Sequence, residues 1–289
     1  MAAKLGILAG GGPLPRQIVE ACHRQGRAVF VVAFDGQTDP ATVAGGIDHI
    51  WTRLGAAGRA LKALRRAGCE ELVMVGPVRR PAFAELRPDL TAARFLARLG
   101  HRALGDDGLL RAVMGVLERE GFRMVGVHEV LPDVLAGAGA LGRHVPDSEA
   151  WTDIERGLAV ARGLGAQDVG QAVVVQQGIV LGVEAIEGTD ALLARCAELK
   201  RKGRGGVLVK IKKPGQDARA DLPTVGQRTV AGAAAAGLVG IAFTAGGTVM
   251  VDPQATVRDA NRAGLFLHGL DTAGGGEGAQ PTRGDAGRP

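Results

Sequence analysis

The sequence predicts an α/β chain of two domains, a parallel doubly wound sheet followed by a mixed sheet with its own helices. Three observations carry this reading. Short β-branched runs alternate with helix-length amphipathic patterns up to about residue 130, the pattern of successive βαβ units. The first run ends in Gly10-Gly11-Gly12 and leads into a helix pattern. A hairpin signal, Gln177-Gly178, appears only in the second half and brings antiparallel pairing with it. At 289 residues the chain is long enough to bury two cores.

Residues 4–9 read as a buried strand, followed by the glycine turn, Pro13-Leu14-Pro15 and a helix to Gly26. In that arrangement glycines allow close approach and N–H groups at the helix start face a phosphate, although a purely structural turn has the same composition. Against the dinucleotide fingerprint G-x-G-x-x-G, Gly10 and Gly12 fit, but Pro15 replaces the third glycine. That counts against NAD, while proline is well tolerated in a first helical turn. A strand at 28–34 ends at Asp35, placed either to accept from a ribose hydroxyl or simply to start a loop. A strand at 49–54, a helix at 56–67 and a strand at 71–75 follow, ending in Gly76-Pro77-Val78-Arg79-Arg80-Pro81, whose arginines suit anion binding beyond a strand's carboxyl end. Helix patterns at 91–99 and, after Gly105-Asp106-Asp107-Gly108, through Glu120 precede a strand at 122–127. The first domain is thus 1–130, and a Gly/Ala/Pro-rich linker occupies 131–147, where His144 reads as a solvated loop histidine.

The second domain, 148–270, opens with a helix at 153–164 and a strand pair, 171–176 and 179–183, around Gln177-Gly178. Beyond the pair lie Glu184, Glu187 and Asp190, an acidic cluster before a helix running to about 202; Asp190 reads equally as a cap of that helix. A strand at 207–211 then delivers the chain into K-I-K-K-P-G-Q-D-A-R-A-D-L-P-T-V-G at 210–226. In this loop Asp217 and Asp221 suit a hard divalent cation or an oriented water, and Lys212, Lys213 and Arg219 suit phosphate oxygens. A solvated charged loop before a capped helix would have the same residues. A helix at 224–237, a second hairpin of strands 239–243 and 248–251 across Ala245-Gly246-Gly247, a helix at 253–263 and a strand at 265–268 complete the domain. The tail, 271–289, has no apolar period and reads as disordered.

The charge balance narrows the partners. The chain is basic, with a net charge of +5 and a pI near 9.5, yet it has no Tyr and few other aromatics. Without basic residues interleaved with aromatics, nucleic acid is not an expected partner, and phosphate-bearing small molecules or acidic lipid suit the charge better. Cys22, Cys69 and Cys196 lie far apart in apolar patterns and read as buried, reduced thiols of a cytosolic chain. No signal-peptide pattern opens the sequence and no apolar run is long enough to span a bilayer, so membrane contact is expected to be peripheral.

In order along the chain, L-A-G-G-G-P-L-P at 8–15, G-P-V-R-R-P at 76–81, G-D-D-G-L-L-R-A at 105–112, D-V-G-Q at 168–171, G-V-E-A-I-E-G-T-D at 182–190 and K-K-P-G-Q-D-A-R-A-D-L-P-T-V-G at 212–226 resemble the LpxI family of UDP-2,3-diacylglucosamine pyrophosphatases. The likeness covers roughly residues 4–270, and the two long motifs of the second half are its specific part. One departure is Thr244, which stands where the family carries an acidic residue before Ala-Gly. The resemblance implies a Rossmann-like N-terminal domain that holds the UDP portion. It also implies a C-terminal catalytic domain, α/β hydrolase-type with a mixed sheet, that holds the acylated sugar. It further implies a divalent metal, Mg2+ or another such as Mn2+, and hydrolysis to UMP and 2,3-diacylglucosamine 1-phosphate (lipid X) in lipid A biosynthesis of Gram-negative bacteria. A cytoplasmic location, peripheral on the anionic inner-membrane surface, and a homodimer belong to the same expectation. The family's essential aspartate matches Asp221.

Residue chemistry then fills the remaining roles. Asp221, Asp217, Lys213 and Arg219 form the expected catalytic set, and Asp221 with Glu184, Glu187 and Asp190 the expected metal ligands. Gly10, Gly11, Gly12, Leu14, Arg80, Asp107, Gln171, Lys212 and Thr224, all within the matched motifs, are the expected substrate-binding positions. The small-residue helices around 191–197 and 231–237 offer an apolar surface for acyl chains, or ordinary core packing. Two other readings compete: a nicotinamide-dependent oxidoreductase, motivated by Gly10, Gly12 and Asp35, and a non-catalytic nucleotide-sugar binding protein. Acidic clusters beside basic residues favour catalysis, because a binder of anions gains little from nearby carboxylates.

Overall fold

The computed structural model describes residues 2–79, 86–99, 106–213 and 215–271. The first sheet is wholly parallel. It consists of β1 (Leu5–Ala9), β2 (Val29–Phe34), β3 (His49–Thr52), β4 (Glu71–Val75) and β5 (Arg123–Met124) in the order β3-β2-β1-β4-β5. The chain leaves β1 towards β2 on one side and later returns to β4 on the other. The strand order therefore reverses between β1 and β4, which opens a crevice at their carboxyl ends.

Alternate side chains of β1 feed two apolar layers. Leu5 and Ile7 join Ile18, Val19 and Cys22 of α1 (Leu14–Arg24) on one face. On the other, Leu8 packs with Leu61 and Leu64 of α2 (Ala57–Arg66) and with Met114 and Leu117 further along. Two more helices, α3 (Leu90–Leu99) and α4 (Asp106–Arg119), complete the crossover to β5. The last strand is shorter than the predicted 122–127, because the chain turns at Gly126 into a short helix, α5 (Val127–Val130). Glu129 fixes that turn by accepting from the Gly126 N–H at 2.7 Å.

The second sheet is mixed, as predicted. Its members are β6 (Gly139–Ala140), β7 (Ala172–Gln176), β8 (Ile179–Val183), β9 (Val207–Lys210), β11 (Gly240–Thr244) and β13 (Phe266–Leu270), in the order β6-β13-β11-β9-β7-β8. The central β13, β11 and β9 are parallel and the outer pairings antiparallel. Helix α6 (Ser148–Ala166) covers one face, and α7 (Gly188–Glu198), α8 (Gln227–Ala235) and α9 (Pro253–Ala263) the other. On α6, a Cβ at Gly157 would lie 2.5 Å from a Val209 methyl, so glycine lets this helix sit close on the sheet. Cys22, Cys69 and Cys196 are buried free thiols, and burial pushes their pKa values up.

The hairpin between β7 and β8 forms as its Gln177-Gly178 signal predicts, with both residues at positive φ (55° and 73°). Asp153 of α6, 2% exposed, accepts from the N–H groups of Gln177 and Gly178 and so secures the turn. The predicted second hairpin does not form. Instead β11 enters the main sheet between β13 and β9, while β12 (Val249–Met250) pairs in parallel with β10 (Thr224–Val225). The reason is long-range: the Ala245 and Gly246 N–H groups donate to the carbonyls of Leu270 and Ala136, which carries the turn away from the sheet. Since Thr224 and Val225 belong to β10, the helix predicted from 224 starts at Gln227. Part of the 131–147 stretch joins the second sheet as β6, and α6 begins earlier than predicted because Asp147 caps it through the Ala150 N–H. The tail from 272 lies outside the described residues.

Candidate functional site

The glycine turn sits at the crevice between β1 and β4, but two of its amides are spent. Gly10 N–H donates to the Val75 carbonyl and Gly11 N–H to the Pro77 carbonyl, each at 2.8 Å. A Cβ at Gly10 would lie 2.4 Å from the Gly76 oxygen, so glycine is required there for two turns to touch. These two amides hold the turn itself, whereas the phosphate expectation concerns the N–H groups at the helix start. What remains is Gly12, at φ 75°, and the start of α1, where Pro13 provides no side-chain cap. Leu14 is 7% exposed and packs into the first core. Asp35 lies exposed beyond the end of β2. Arg80 and the Asp107 side chain lie outside the described residues.

At the second sheet, strand register gathers a buried polar group. Ala172 pairs with Lys210 and Val173 with Val183, which brings Gln171, Glu184 and Lys210 to one end. The Glu184 carboxylate, in a residue 6% exposed, accepts from the Gln171 backbone N–H at 3.1 Å and from the Thr189 hydroxyl at 2.5 Å. Thr189 Oγ1 in turn accepts from the Lys210 ammonium at 2.8 Å, and Lys210 also donates to the Thr224 carbonyl at 3.0 Å. Lys210 is itself only 6% exposed; burial pulls its pKa down, opposed by the charges of Glu184, Asp221 and Asp190. Sequence reasoning missed it, though a lone cation at the end of an apolar strand was the available signal. The buried side-chain oxygen of Gln171 has no hydrogen-bond partner among the described residues.

The loop beyond Lys210 is shaped by its own polar groups. Gln216, buried, accepts from the Lys213 N–H at 3.0 Å. Asp217 accepts from the backbone N–H, Nε and Nη2 of Arg219, and Arg219 Nη1 reaches Glu118 of α4 at 3.0 Å. The Arg219 guanidinium holds Asp217 below the usual carboxylate range, and Asp217 raises Arg219 in return. Lys213 pairs with Asp168 at 2.7 Å. Lys213 and Arg219, both expected on phosphate, are therefore already engaged with carboxylates. By contrast, no hydrogen bond or ion pair within the described residues holds the Lys212 ammonium, while its backbone N–H donates to Thr244 Oγ1 at 3.1 Å. Thr244, the departure from the family pattern, thus anchors the loop.

Apolar residues of the same loop dock into the first domain. Ala220 and Leu222, each 7% exposed, enter the two cores of the first sheet, and Ala218 packs beside them. Asp221 stands exposed between these two buried neighbours. It therefore sits where a loop of the second domain meets the first.

The other carboxylates expected on a metal are held by protein donors. Glu187 is drawn below the usual range by its own backbone N–H and by Arg195, which it meets at 2.8 Å. Asp190 pairs with Arg228 rather than capping α7. With Glu184 held as described, the expected ligand set is not assembled in advance: among the described residues no group of three or more His, Cys, Asp or Glu is placed to hold a metal ion. Thr224 offers its carbonyl to Lys210 and its hydroxyl to the Leu222 carbonyl. His144 lies at 3.2 Å from the Asn261 carbonyl oxygen, remote in role from these groups.

Comparison with known proteins follows this geometry closely in extent. The model of the LpxI N-terminal domain matches residues 4–134 and that of the LpxI C-terminal domain residues 137–268. The UDP-2,3-diacylglucosamine pyrophosphatase LpxI of Caulobacter vibrioides is 43% identical over 276 residues, covering 93% of this chain and 98% of that protein. A 2-succinylbenzoate–CoA ligase of Bacillus cereus is 28% identical over 120 residues, 41% of this chain and 25% of the ligase. The crystal structure of an N5-carboxyaminoimidazole synthase from Aspergillus clavatus overlaps 69% of this chain and 44% of that one at 17% identity, with a TM-score of 0.24, too low to bear on the fold. Two consecutive domain models and a full-length relative agree, and the chain belongs to the LpxI family.

Proposed function

We propose that this chain is a UDP-2,3-diacylglucosamine pyrophosphatase of lipid A biosynthesis, releasing UMP and lipid X. Support comes from the full-length kinship with the Caulobacter protein. The structural observation that carries the reading is the position of Asp221, exposed between two residues buried in the first domain and within electrostatic reach of Lys210 in the second. A substrate with a nucleotide at one end and an acylated sugar at the other would lay its pyrophosphate across such a boundary. The second domain is then a hydrolase by chemistry.

Cleaving a phosphoric anhydride requires clustered negative charge to be neutralised and a water to be aligned with the phosphorus. Asp221 orients that water or holds a cation. Asp221, placed at the boundary of the two domains, is the carboxylate through which Mg2+ or Mn2+ would be held together with substrate phosphates, a common mode for a hard cation. When bound, the metal supplies charge neutralisation at the phosphates. Lys212 provides the loop's cationic contact to a phosphate oxygen. Gly12 and the start of α1 face the nucleotide side.

The proposal extends to docking on the anionic cytoplasmic face of the inner membrane. A groove of about 580 Å³ between α2 and α3 is lined by Lys62, Arg65, Arg66 and Arg94 with Leu61 and Phe95, a cationic rim over apolar side chains. No helix of the described residues is long and apolar enough to cross a membrane. A homodimer belongs to the proposal on family grounds alone.

The test is release of UMP and lipid X from UDP-2,3-diacylglucosamine in detergent, with Mg2+ or with EDTA, for wild type and Asp221→Ala. Metal-dependent turnover that disappears in the variant is expected. A folded wild type that binds the substrate without cleaving it would favour the nucleotide-sugar binding reading, and absence of binding would restore the oxidoreductase.

A further inference from the structure

Lys210 ends β9 just before the loop that carries Asp221, and Thr224 opens β10 just after it. The hydrogen bond from Lys210 Nζ to the Thr224 carbonyl therefore closes the neck of that loop. On its other side the same ammonium holds Thr189 at the start of α7, and through Thr189 it is tied to Glu184 and the start of β7. Five segments thus converge on one buried cation.

We propose that Lys210 is a positioning residue for the reaction, fixing the neck of the loop so that the Asp221 carboxylate faces the pyrophosphate; this rests on the role given to Asp221 above. A desolvated ammonium is costly in a protein interior unless acceptors and opposite charge compensate it. The two hydrogen bonds of Lys210 go to neutral oxygens, of Thr189 and Thr224, so compensation of its charge falls to the carboxylates around it. Glu184, Asp221 and Asp190 are the acidic groups that act on it, carried by the ends of β8, by the loop and by α7. A hydrocarbon side chain would fill the same space at the end of an apolar strand without this cost. The lysine both latches the loop and supplies positive charge near Asp221, and neither Lys213 nor Arg219 can replace it while they pair with Asp168, Asp217 and Glu118.

The experiment compares kcat and KM on UDP-2,3-diacylglucosamine for wild type, Lys210→Met, Lys210→Arg and Asp221→Asn, with folding followed by circular dichroism. For Lys210→Met, kcat is expected to fall by about 30-fold with KM within about threefold, the pattern of an interaction used in the transition state. Lys210→Arg, which retains the charge, is expected to lie between the methionine variant and wild type. A kcat within twofold of wild type in Lys210→Met, a loss confined to KM, or an arginine variant no better than methionine would each overturn the proposal. If Lys210→Met does not fold, Thr189→Val keeps the lysine and removes one acceptor. It is expected to lower kcat by about fivefold at constant KM, and an unchanged kcat again overturns the proposal. Wild-type turnover in Asp221→Asn would overturn the role of Asp221 and this proposal with it. A dead Asp221→Asn beside a fully active Lys210→Met would overturn this proposal alone.

Discussion

Arg219, on the loop of the second domain, donates to Glu118 on α4 of the first at 3.0 Å, while its remaining donors grip Asp217. Both members of the interdomain pair are about two-fifths exposed, so solvent screens it. Glu118→Ala should therefore cost less than about 1 kcal/mol in denaturant unfolding. Arg219→Ala should be worse for turnover, because it also releases Asp217 and with it the bend of the loop before Asp221. A loss of about tenfold in kcat/KM is expected, and equal effects of the two variants would show that the bend is set elsewhere.

The same contact gives a pH dependence with a definite sign. Arg219 lowers the folded-state pKa of Asp217, so the contribution to stability is present above the carboxylate's unfolded value, about 3.9, and is lost as pH falls through the lower folded value. The stability gap between wild type and Asp217→Asn should thus be constant near neutrality and close only below about pH 4. Unfolding curves at pH 7, 5 and 3 check this, and a gap that narrows already between pH 7 and 5 would contradict it.

Adjacent lysines of one motif should behave differently. Lys213 forms a largely buried pair with Asp168, its side chain 11% exposed and that of Asp168 32%. Lys213→Met leaves the carboxylate without its partner and should cost about 1–2 kcal/mol of stability. Lys212→Met removes a cation that nothing in the described chain holds, so stability should change little while kcat/KM falls by about tenfold. Thermal unfolding and steady-state kinetics on the two variants separate these roles, and a reversed assignment would place Lys213 on the phosphate.

That difference shows where the sequence stops being informative. Local geometry was legible: the glycine turn after β1 and the Gln177-Gly178 hairpin follow from backbone conformations that few residues adopt. Partners distant in sequence were not. Ala245-Gly246-Gly247 looks like a hairpin turn until the carbonyls of Leu270 and Ala136 draw it away. Lys212 and Lys213 are indistinguishable in a loop until Asp168 is brought beside one of them. Glu184 reads as a metal ligand until Gln171 and Thr189 are seen to occupy its oxygens. Asp221 is expected in the site by likeness to the family alone, and its placement at the domain boundary depends on Ala220 and Leu222 docking into the cores of the first domain, partners distant in sequence.

The glycine turn provides a prediction that separates structure from ligand binding. Because a Cβ at Gly10 meets backbone atoms of Gly76 and Pro77, Gly10→Ala forces the turns after β1 and β4 apart and should cost about 1–3 kcal/mol. Gly12 has room for a Cβ but sits at positive φ, so Gly12→Ala should strain the backbone by about 1 kcal/mol and act mainly on nucleotide affinity. Denaturant unfolding of both variants with titration of UMP distinguishes them; a Gly12 variant with unchanged UMP binding would remove the α1 start from the nucleotide site.

Membrane docking can be tested on the groove between α2 and α3. Arg65 is already paired with Glu120, which leaves Lys62, Arg66 and Arg94 as the cations best able to meet lipid headgroups. A basic residue near an anionic surface contributes on the order of 1 kcal/mol, so neutralising two should weaken binding to phosphatidylglycerol vesicles by about 30-fold. The double variant Lys62→Gln/Arg66→Gln provides that change on an exposed helix face, away from the loop of Asp221. Its turnover on detergent-dispersed substrate should equal that of wild type, because no group assigned to the reaction has been altered. Vesicle binding of wild type should also fall as salt is raised, since exposed charges separated by more than about 8 Å are largely screened at physiological ionic strength. Binding that resists both salt and the double substitution would mean that apolar contact, not this cationic rim, brings the enzyme to the lipid.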